Sequence, residues 1–423
     1  MNKIKLIEKI EGEAKLNFSF EDGVINFVDI EFTSTRNIET ILEGKPALDA
    51  LVINPRVCGI CGHAHLIATV KALENCYDDI KISKKAEILR ELTLNFEIIQ
   101  NHFKWFYLVI MPLFGFKQFP LKAMQPSQIM AKAIATIGGQ YPHNSYAIVG
   151  GVVSELTQLD TIKLINYIDE VIKYFEQNLV LSDSDELIEC DNIEELFIQN
   201  GDLPNILRVI KDKSLEHIGK SYDRFIVFGG NSYFSSGKSE HTRISQNILT
   251  NYITEFQSPN QNSKAKNVMY KNKYYEVGSL SRAMLNKTKL IKDSHRKYKD
   301  SILTRILARV CEIPQLLHHS KKLLSELDLS QPSFIEPNIF INKLNASGIG
   351  IVEAARGSLI HKVQLQNGII SKYDIITPTQ WNLSNGDKSN PAVSQKAMLG
   401  LNDTNLAQLV FKSFDVCSVC TTH

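Results

Sequence analysis

Arg56-Val57-Cys58-Gly59-Ile60-Cys61, with His65 four residues on, has a counterpart at the far end of the chain in Asp415-Val416-Cys417-Ser418-Val419-Cys420 with His423. A two-residue spacer lets both sulfurs of a pair turn to one side of a tight turn, so two such pairs can present four thiolates to one metal centre. Zinc ribbons and fingers draw their ligands from local spacings, whereas these pairs lie at opposite ends of the sequence. A site that ties both ends of a large fold together has the layout of an active centre. On the cysteine pattern alone a structural zinc, an iron–sulfur cluster and unrelated buried thiols all stay open, because ligand type restricts the metal without fixing it. The other cysteines, Cys76, Cys190 and Cys311, are scattered. Seven thiols are an odd set, too sparse for a disulfide scaffold, and are expected to be reduced.

Outward from the first pair, residues 4–32 tend to alternate apolar and polar around Glu21-Asp22-Gly23, which predicts a β-hairpin. Ser83 is a good N-cap for a helix from Lys84 to about Met111, with Ile88, Leu92, Phe96, Ile99, Phe103 and Phe106 on one stripe. A second helix is predicted from about Ser154 to Leu181, with Leu159, Ile162, Ile165, Ile168 and Ile172 inward. A third runs from about His295 to Leu327, which Pro314 should kink or end. Gly229-Gly230-Asn231 and the polar stretch 257–266 read as a surface excursion, a candidate linker. Short strands at Val363–Leu365 and Ile369–Ile370 and a last helix around Leu406–Phe411 close the chain. The expected class is α+β, predominantly helical: a long-helix bundle with small antiparallel β elements at both ends.

The chain has 423 residues, long enough for two to three ordinary domains or one large one, and 43% of them are hydrophobic. Lys and Arg number 47 against 46 acidic residues, so the basic excess of a nucleic-acid binder is missing. The apolar run 105–116 is broken by Pro112 and is too short to span a membrane. A carboxylate at Glu8 interrupts the N-terminal run, which argues against an ordinary signal peptide. A cytoplasmic place or one peripheral to the membrane is expected, with export in the company of a partner as the other route.

The first cysteine segment matches the R-x-C-G-x-C-x-x-x-H signature of the large, catalytic subunit of nickel-iron hydrogenases, and the second resembles their terminal D-P-C-x-x-C-x-x-H. Collinear segments extend the resemblance over nearly the whole chain. Ile10-Glu11-Gly12 resembles R-I-E-G-H, Arg36 with Glu39 resembles R-G-x-E, and Gly138-Gly139 with Pro142-His143 resembles G-G-K-x-P-H. Glu276 to Arg282 resembles E-V-G-P-L-A-R, Glu353-Ala354-Ala355-Arg356-Gly357 resembles E-A-P-R-G, and Pro378 to Asn382 resembles P-T-T-W-N. The resemblance implies one large-subunit-like catalytic domain over 1–423.

By resemblance, four thiolates hold a nickel-iron centre, with Cys58 and Cys417 terminal on nickel and Cys61 and Cys420 bridging to an iron that carries carbonyl and cyanide ligands. The implied reaction is reversible heterolytic cleavage of dihydrogen into protons and electrons. Glu11 is implied as the proton relay from Cys417, Arg356 as a fixed cation over the metals and Asp415 as its orienting partner. A magnesium site is implied at the Glu39 carboxylate, the His423 ring and the Ile375 carbonyl. Read singly, each residue has a plainer meaning: Glu11 as an exposed strand residue, Arg356 as an ion-pair arginine, Asp415 as a cap, and His65, His143 and Asn101-His102 as satisfied core or loop residues. The implied partners are maturation proteins and an iron–sulfur small subunit.

Departures from the pattern stand at Val416 and Ala355 in place of prolines, Gln140 in place of a basic residue, and Asn101 in place of an aspartate. They alter the shell of the metals and leave the ligands intact. A related fold, the quinone-site subunit of respiratory complex I, lacks the four ligands. Two other readings remain: a dihydrogen-sensing subunit of the same fold, which typically ends at the final histidine, and a zinc-stapled scaffold.

Overall fold

The computed structural model describes residues 2–9, 12–32, 36–117, 119–415 and 417. Asn2–Lys9 (β1), Gly12–Glu21 (β2) and Val24–Glu31 (β3) form an antiparallel sheet in the order β1-β2-β3. The expected hairpin is its β2–β3 half. Asp22 and Gly23 both take positive φ, as the tight turn of a two-residue hairpin loop demands.

Gly62–Glu74 (α1) starts immediately after Cys61. Lys84–Trp105 (α2) begins where Ser83 predicts, with Ser83 Oγ accepting from the Ala86 amide at 3.1 Å, and its stripe from Ile88 to Phe103 is buried. Pro120–Gly138 (α3) is a long helix that sequence reading missed. Pro126 lies inside it and cannot donate to the Lys122 carbonyl one turn back. The hydroxyl of Tyr174 donates to that carbonyl at 3.0 Å instead, so the next helix repairs the break. That helix, Gln158–Phe175 (α4), opens on a Thr157–Asp160 capping box rather than at Ser154. Its inward face also differs from expectation. Leu164, Ile168, Val171 and Phe175 are buried, while Leu159 and Ile162 are more than half exposed.

The third predicted helix is two. Lys289–Tyr298 ends at Lys299, whose φ of +61° breaks the helix, and Ser301 then caps Ile302–Ser325 (α5). Pro314 sits within α5 without ending it. Helices α2, α3, α4 and α5 pack on one another as the expected bundle.

Ala346–Ala354 (β4), Gly357–Gln366 (β5) and Ile369–Ile376 (β6) make a second antiparallel meander, longer than the two short strands expected. Strand β4 lies against α1, and a Cβ on Gly350 would come within 1.9 Å of the Ala68 carbonyl, so only glycine permits the contact. Two small sheets in the middle of the chain, at residues 224–245 and 253–270, were not anticipated. The polar stretch 257–266 is no linker: Lys264 donates to the Phe32 carbonyl at 2.7 Å and Ser263 accepts from the Phe32 amide, which fastens this hairpin to the first sheet. Thr404–Ser413 (α6) carries the chain to Asp415 and Cys417.

One large apolar cluster runs through the bundle and both meanders. Burial of each such Leu, Ile or Phe contributes about 1.5–3 kcal/mol before entropy is counted. The metal-ligand candidates sit where α1, β4 and the segment after α6 meet. Among the described residues no helix is long and apolar enough to cross a membrane.

Candidate metal centre

The loop before α1 is built to bring sulfurs together. Cys58 and Cys61 are 2% and 7% exposed, and the Cys58 sulfur accepts from the amides of Ile60 and Cys61, both at 3.4 Å. Such bonds favour the thiolate, and Cys61 gains further from the N-terminus of α1. Gly62 admits the Pro55 carbonyl to 2.1 Å from where a Cβ would stand, which closes the loop. Arg36 fastens it from outside, donating to the Val57 carbonyl at 2.7 Å.

From the other end of the chain, Cys417 arrives fully buried with its sulfur 3.8 Å from that of Cys58. The sulfurs of Cys58, Cys61 and Cys417 all lie within 4.8 Å of one another. Cys420, His423 and Glu11 lie outside the described residues.

Above the sulfurs sits Arg356, 7% exposed. Its Nε donates to the Asp415 carbonyl at 3.1 Å and its Nη2 to Asp415 Oδ1 at 3.3 Å. Burial works against the guanidinium charge, but Asp415 and the sulfurs of Cys417, Cys61 and Cys58 outweigh it and hold the pKa above the ordinary arginine value. Arg356 Nη1 and Thr379 Oγ1 are buried without a hydrogen-bond partner among the described residues, and both residues line a small cavity with Cys61 and His65. Two orphaned donors beside converging soft sulfurs fit a metal that carries acceptor ligands of its own.

His65 does not stand alone: its Nδ1 meets His361 Nε2 at 3.0 Å, and His361 Nδ1 meets the Tyr373 hydroxyl at 2.8 Å. His143 pairs with the Pro55 carbonyl at 3.2 Å and so braces the cysteine loop. Asn101 gives a reason for one departure, because its Nδ2 donates to the Ile60 carbonyl at 3.1 Å, a bond that an ionised aspartate could not make. His102 is farther out and binds Glu312 at 2.7 Å. Burial pulls its pKa to about 4, against the Glu312 bond and charge, so it is neutral and donates Nε2–H.

Glu39 and Ile375 are adjacent, as the magnesium reading requires, but Ile375 offers its amide to Glu39 Oε1 at 2.8 Å. The other carboxylate oxygen meets Lys266 Nζ at 2.5 Å. Lys266 was not foreseen.

Two further residues escaped the sequence reading. Glu97 is buried, and its carboxylate accepts from the amides of His63 and Ala64, both at 3.0 Å, in the first turn of α1. The available signal was a single carboxylate inside an apolar helix stripe. Arg309 on α5 donates to Asp415 Oδ2 at 2.7 Å, and nothing local in the sequence marks it.

Converging buried cysteine sulfurs under an arginine held by a carboxylate form a candidate metal centre built from both ends of one chain. The family model described as nickel-dependent hydrogenase matches residues 36–111 and 181–423, and the chain belongs to that family. Over 99% of its length it is 25% identical to a component of the vhc F420-non-reducing hydrogenase of Methanococcus voltae, covering 94% of that protein. It is 24% identical to the alpha chain of sulfhydrogenase 1 of Pyrococcus furiosus, with 99% of this chain and 96% of that one covered. The fold matches the Ni-Fe-Se hydrogenase of D. vulgaris Hildenborough in its reduced state at a TM-score of 0.84 and 22% identity, with both chains fully covered.

Proposed function

We propose that this chain is the large subunit of a nickel-iron hydrogenase, which cleaves dihydrogen reversibly into protons and electrons and passes the electrons to an iron–sulfur small subunit. The observation that carries the reading is the meeting of Cys58, Cys61 and Cys417 within 4.8 Å in a chain of the nickel-dependent hydrogenase family. Cys58, Cys61, Cys417 and Cys420 would hold the nickel-iron centre. When bound, the centre would supply Lewis-acid polarisation of dihydrogen. Its carbonyl and cyanide ligands, and the maturation proteins that install them, belong to the same proposal.

The chain's own groups have separate tasks. The Ile60 and Cys61 amides donate to the Cys58 sulfur and orient it. Arg356 holds a fixed positive charge over the sulfurs, and Asp415 keeps it aimed through charge-assisted hydrogen bonds. Arg356 Nη1 and Thr379 Oγ1, buried without a partner among the described residues, would donate to acceptor ligands carried by the metal centre. Glu11 would accept the proton released at the Cys417 sulfur and pass it outward. Glu39, the Ile375 carbonyl and His423 would hold magnesium, an oxygen-preferring cation. Residues 1–423 would form one catalytic unit.

Exposed Ile41, Leu48 and Val52 precede the first cysteine pair in the chain, and Ile369 bridges to Pro46 beside them. Apolar side chains so placed support a permanent partner seated near the metals. A cytoplasmic or membrane-peripheral place is proposed, with export alongside the partner as the other route.

Metal analysis together with infrared spectroscopy tests the assignment. Nickel and iron in equal amounts, with bands from iron-bound diatomic ligands, are expected, and both should vanish in Cys420→Ser. Zinc without nickel, or full activity with normal nickel in that variant, would overturn it.

A further inference from the structure

Away from the sulfurs, a half-open cavity of about 270 Å³ lies between α1, α2 and the loop at Gly230–Ser232. Ile67, Ile82 and Leu94 supply an apolar wall, and Lys71, Arg90 and Asn231 face it with donors.

The hydrogen-bond balance in this cavity is uneven. Its buried acceptors are taken. Glu74 is gripped by Arg90 at 2.7 and 2.9 Å and also receives the Gly150 amide at 3.0 Å. Glu91 receives the Ser232 amide and hydroxyl and pairs with His319 at 3.0 Å. Glu87 pairs with Lys84 at 3.6 Å, and both of those side chains are more than half exposed.

The donors are not used up. Asn231, 7% exposed, is fixed by the Glu353 amide, which donates to its Oδ1 at 3.2 Å, and its Nδ2 has no partner among the described residues. Arg90, 4% exposed, has an Nε without a partner among the described residues. Lys71 gives one of its three N–H groups to the Gly230 carbonyl. Burial, and next the charge of Arg90, lower the Lys71 pKa, and the charges of Glu91, Glu74 and Glu87 act against them. Buried donors without partners are costly, and residues that carry them in a cavity wall favour an acceptor from outside.

We propose that this cavity binds a small organic anion: a carboxylate met by Asn231 Nδ2 and Lys71 Nζ, with a short apolar body against Ile67, Ile82 and Leu94. Its volume suits a molecule of up to about ten heavy atoms, the small end of ligand pockets. The site is joined to the metal centre by the chain itself. Asn231 is fastened to Glu353 on β4, three residues before Arg356, and α1 runs from the cavity to Cys61.

Calorimetric titration of the purified, metal-loaded complex with acetate, butyrate, pentanoate and inorganic phosphate tests this. Saturable binding of the carboxylates is expected, about threefold to fourfold tighter for each added methylene that is buried. Asn231→Asp keeps the shape and inverts the polarity, and Lys71→Met keeps the length and removes the charge. Each should weaken pentanoate binding by about tenfold or more, the loss of a charge-assisted or neutral hydrogen bond in a buried site. Metal content and assembly of the complex report folding, and if one variant does not assemble the other decides. No saturable binding of any carboxylate, an unchanged affinity in a folded variant, or phosphate binding tighter than pentanoate would each overturn the proposal.

Discussion

Arg309 Nη1 donates at 2.7 Å to Asp415 Oδ2, the same carboxylate oxygen that lies 3.0 Å from Arg356 Nε. One buried anion therefore stands between two buried arginines, and Arg309 on α5 fixes the carboxylate that aims Arg356. On the proposed function Arg309 is a positioning residue. Arg309→Met should leave Asp415 free to turn, lowering kcat for dihydrogen oxidation at least about tenfold with nickel content kept, and Arg309→Lys should recover part of it. Breaking a buried pair from one side also costs about 3–5 kcal/mol of stability, so kcat is compared only in preparations with full metal. An unchanged kcat in Arg309→Met would remove the residue from the site.

The neutral state of His102 has a pH consequence. Its pKa falls from 6.5 to about 4 on folding, with burial as the main cause. Between those values the unfolded chain binds a proton that the folded chain refuses, so stability from this group is complete above pH 6.5 and is lost as pH falls towards 4. At pH 5 the loss is about 2 kcal/mol. His102→Gln should flatten that part of the profile, read from urea midpoints at pH 7 and pH 5. Equal pH sensitivity in both proteins would show that His102 charges in the fold.

Some of this was legible in the sequence and some was not, for physical reasons. The turn at Asp22-Gly23 and the cap at Ser83 are decided by neighbouring residues, so they read correctly. The face of α4 did not, because spacings of three and four link Leu159, Ile162 and Ile165 as well as they link Leu164, Ile168 and Val171. Only packing against α3 and α5 chooses between them. The break at Lys299 rests on a positive φ that lysine seldom adopts. Helix α3 was hidden by Pro126, whose cost is offset by Tyr174 from another helix. At the site the cysteine pairs announce themselves by spacing. Glu97, Arg309 and Lys266 act only through partners distant in sequence, and no local pattern marks them.

Lys266 bears on the magnesium proposal. Its ammonium meets Glu39 Oε2, and although burial works against it, the Glu39 charge and hydrogen bond lift its pKa above the ordinary lysine value. A cation already neutralises the carboxylate that magnesium would use. Chelation by EDTA should therefore lower the thermal midpoint of the native protein less than that of Lys266→Met, and added magnesium should restore the variant. An equal response of both proteins to chelator would show that Lys266 does not share the load.

For proton transfer, Glu11→Gln keeps shape and removes the ionisable group. Removal of a general acid–base contributes about 10²- to 10⁴-fold. Turnover and hydrogen–deuterium exchange should fall within that range while the infrared bands of the metal centre persist. Unchanged exchange would move the relay to another residue.

Electrons need a way out that this chain does not carry in its thiols. Beyond the four proposed ligands only Cys76, Cys190 and Cys311 remain, too few for an all-cysteine iron–sulfur cluster. Cys76 and Cys311 are buried, and burial raises their pKa, to about 11 for Cys76, so they are poor thiolate donors. On the proposed function a small subunit supplies the route out, and exposed Val52 in the run leading to Cys58 is the candidate place for it. Val52 is 50% exposed, so an added carboxylate meets water in the free chain and is desolvated only if the partner covers it. Val52→Asp should leave the fold and nickel content of the large subunit intact while weakening association with the small subunit by about tenfold or more. Dye-linked activity should fall in step with the fraction dissociated. Full activity in an isolated, fully metallated large subunit would show that electrons leave without a partner, and unchanged association in Val52→Asp would place the interface on another face.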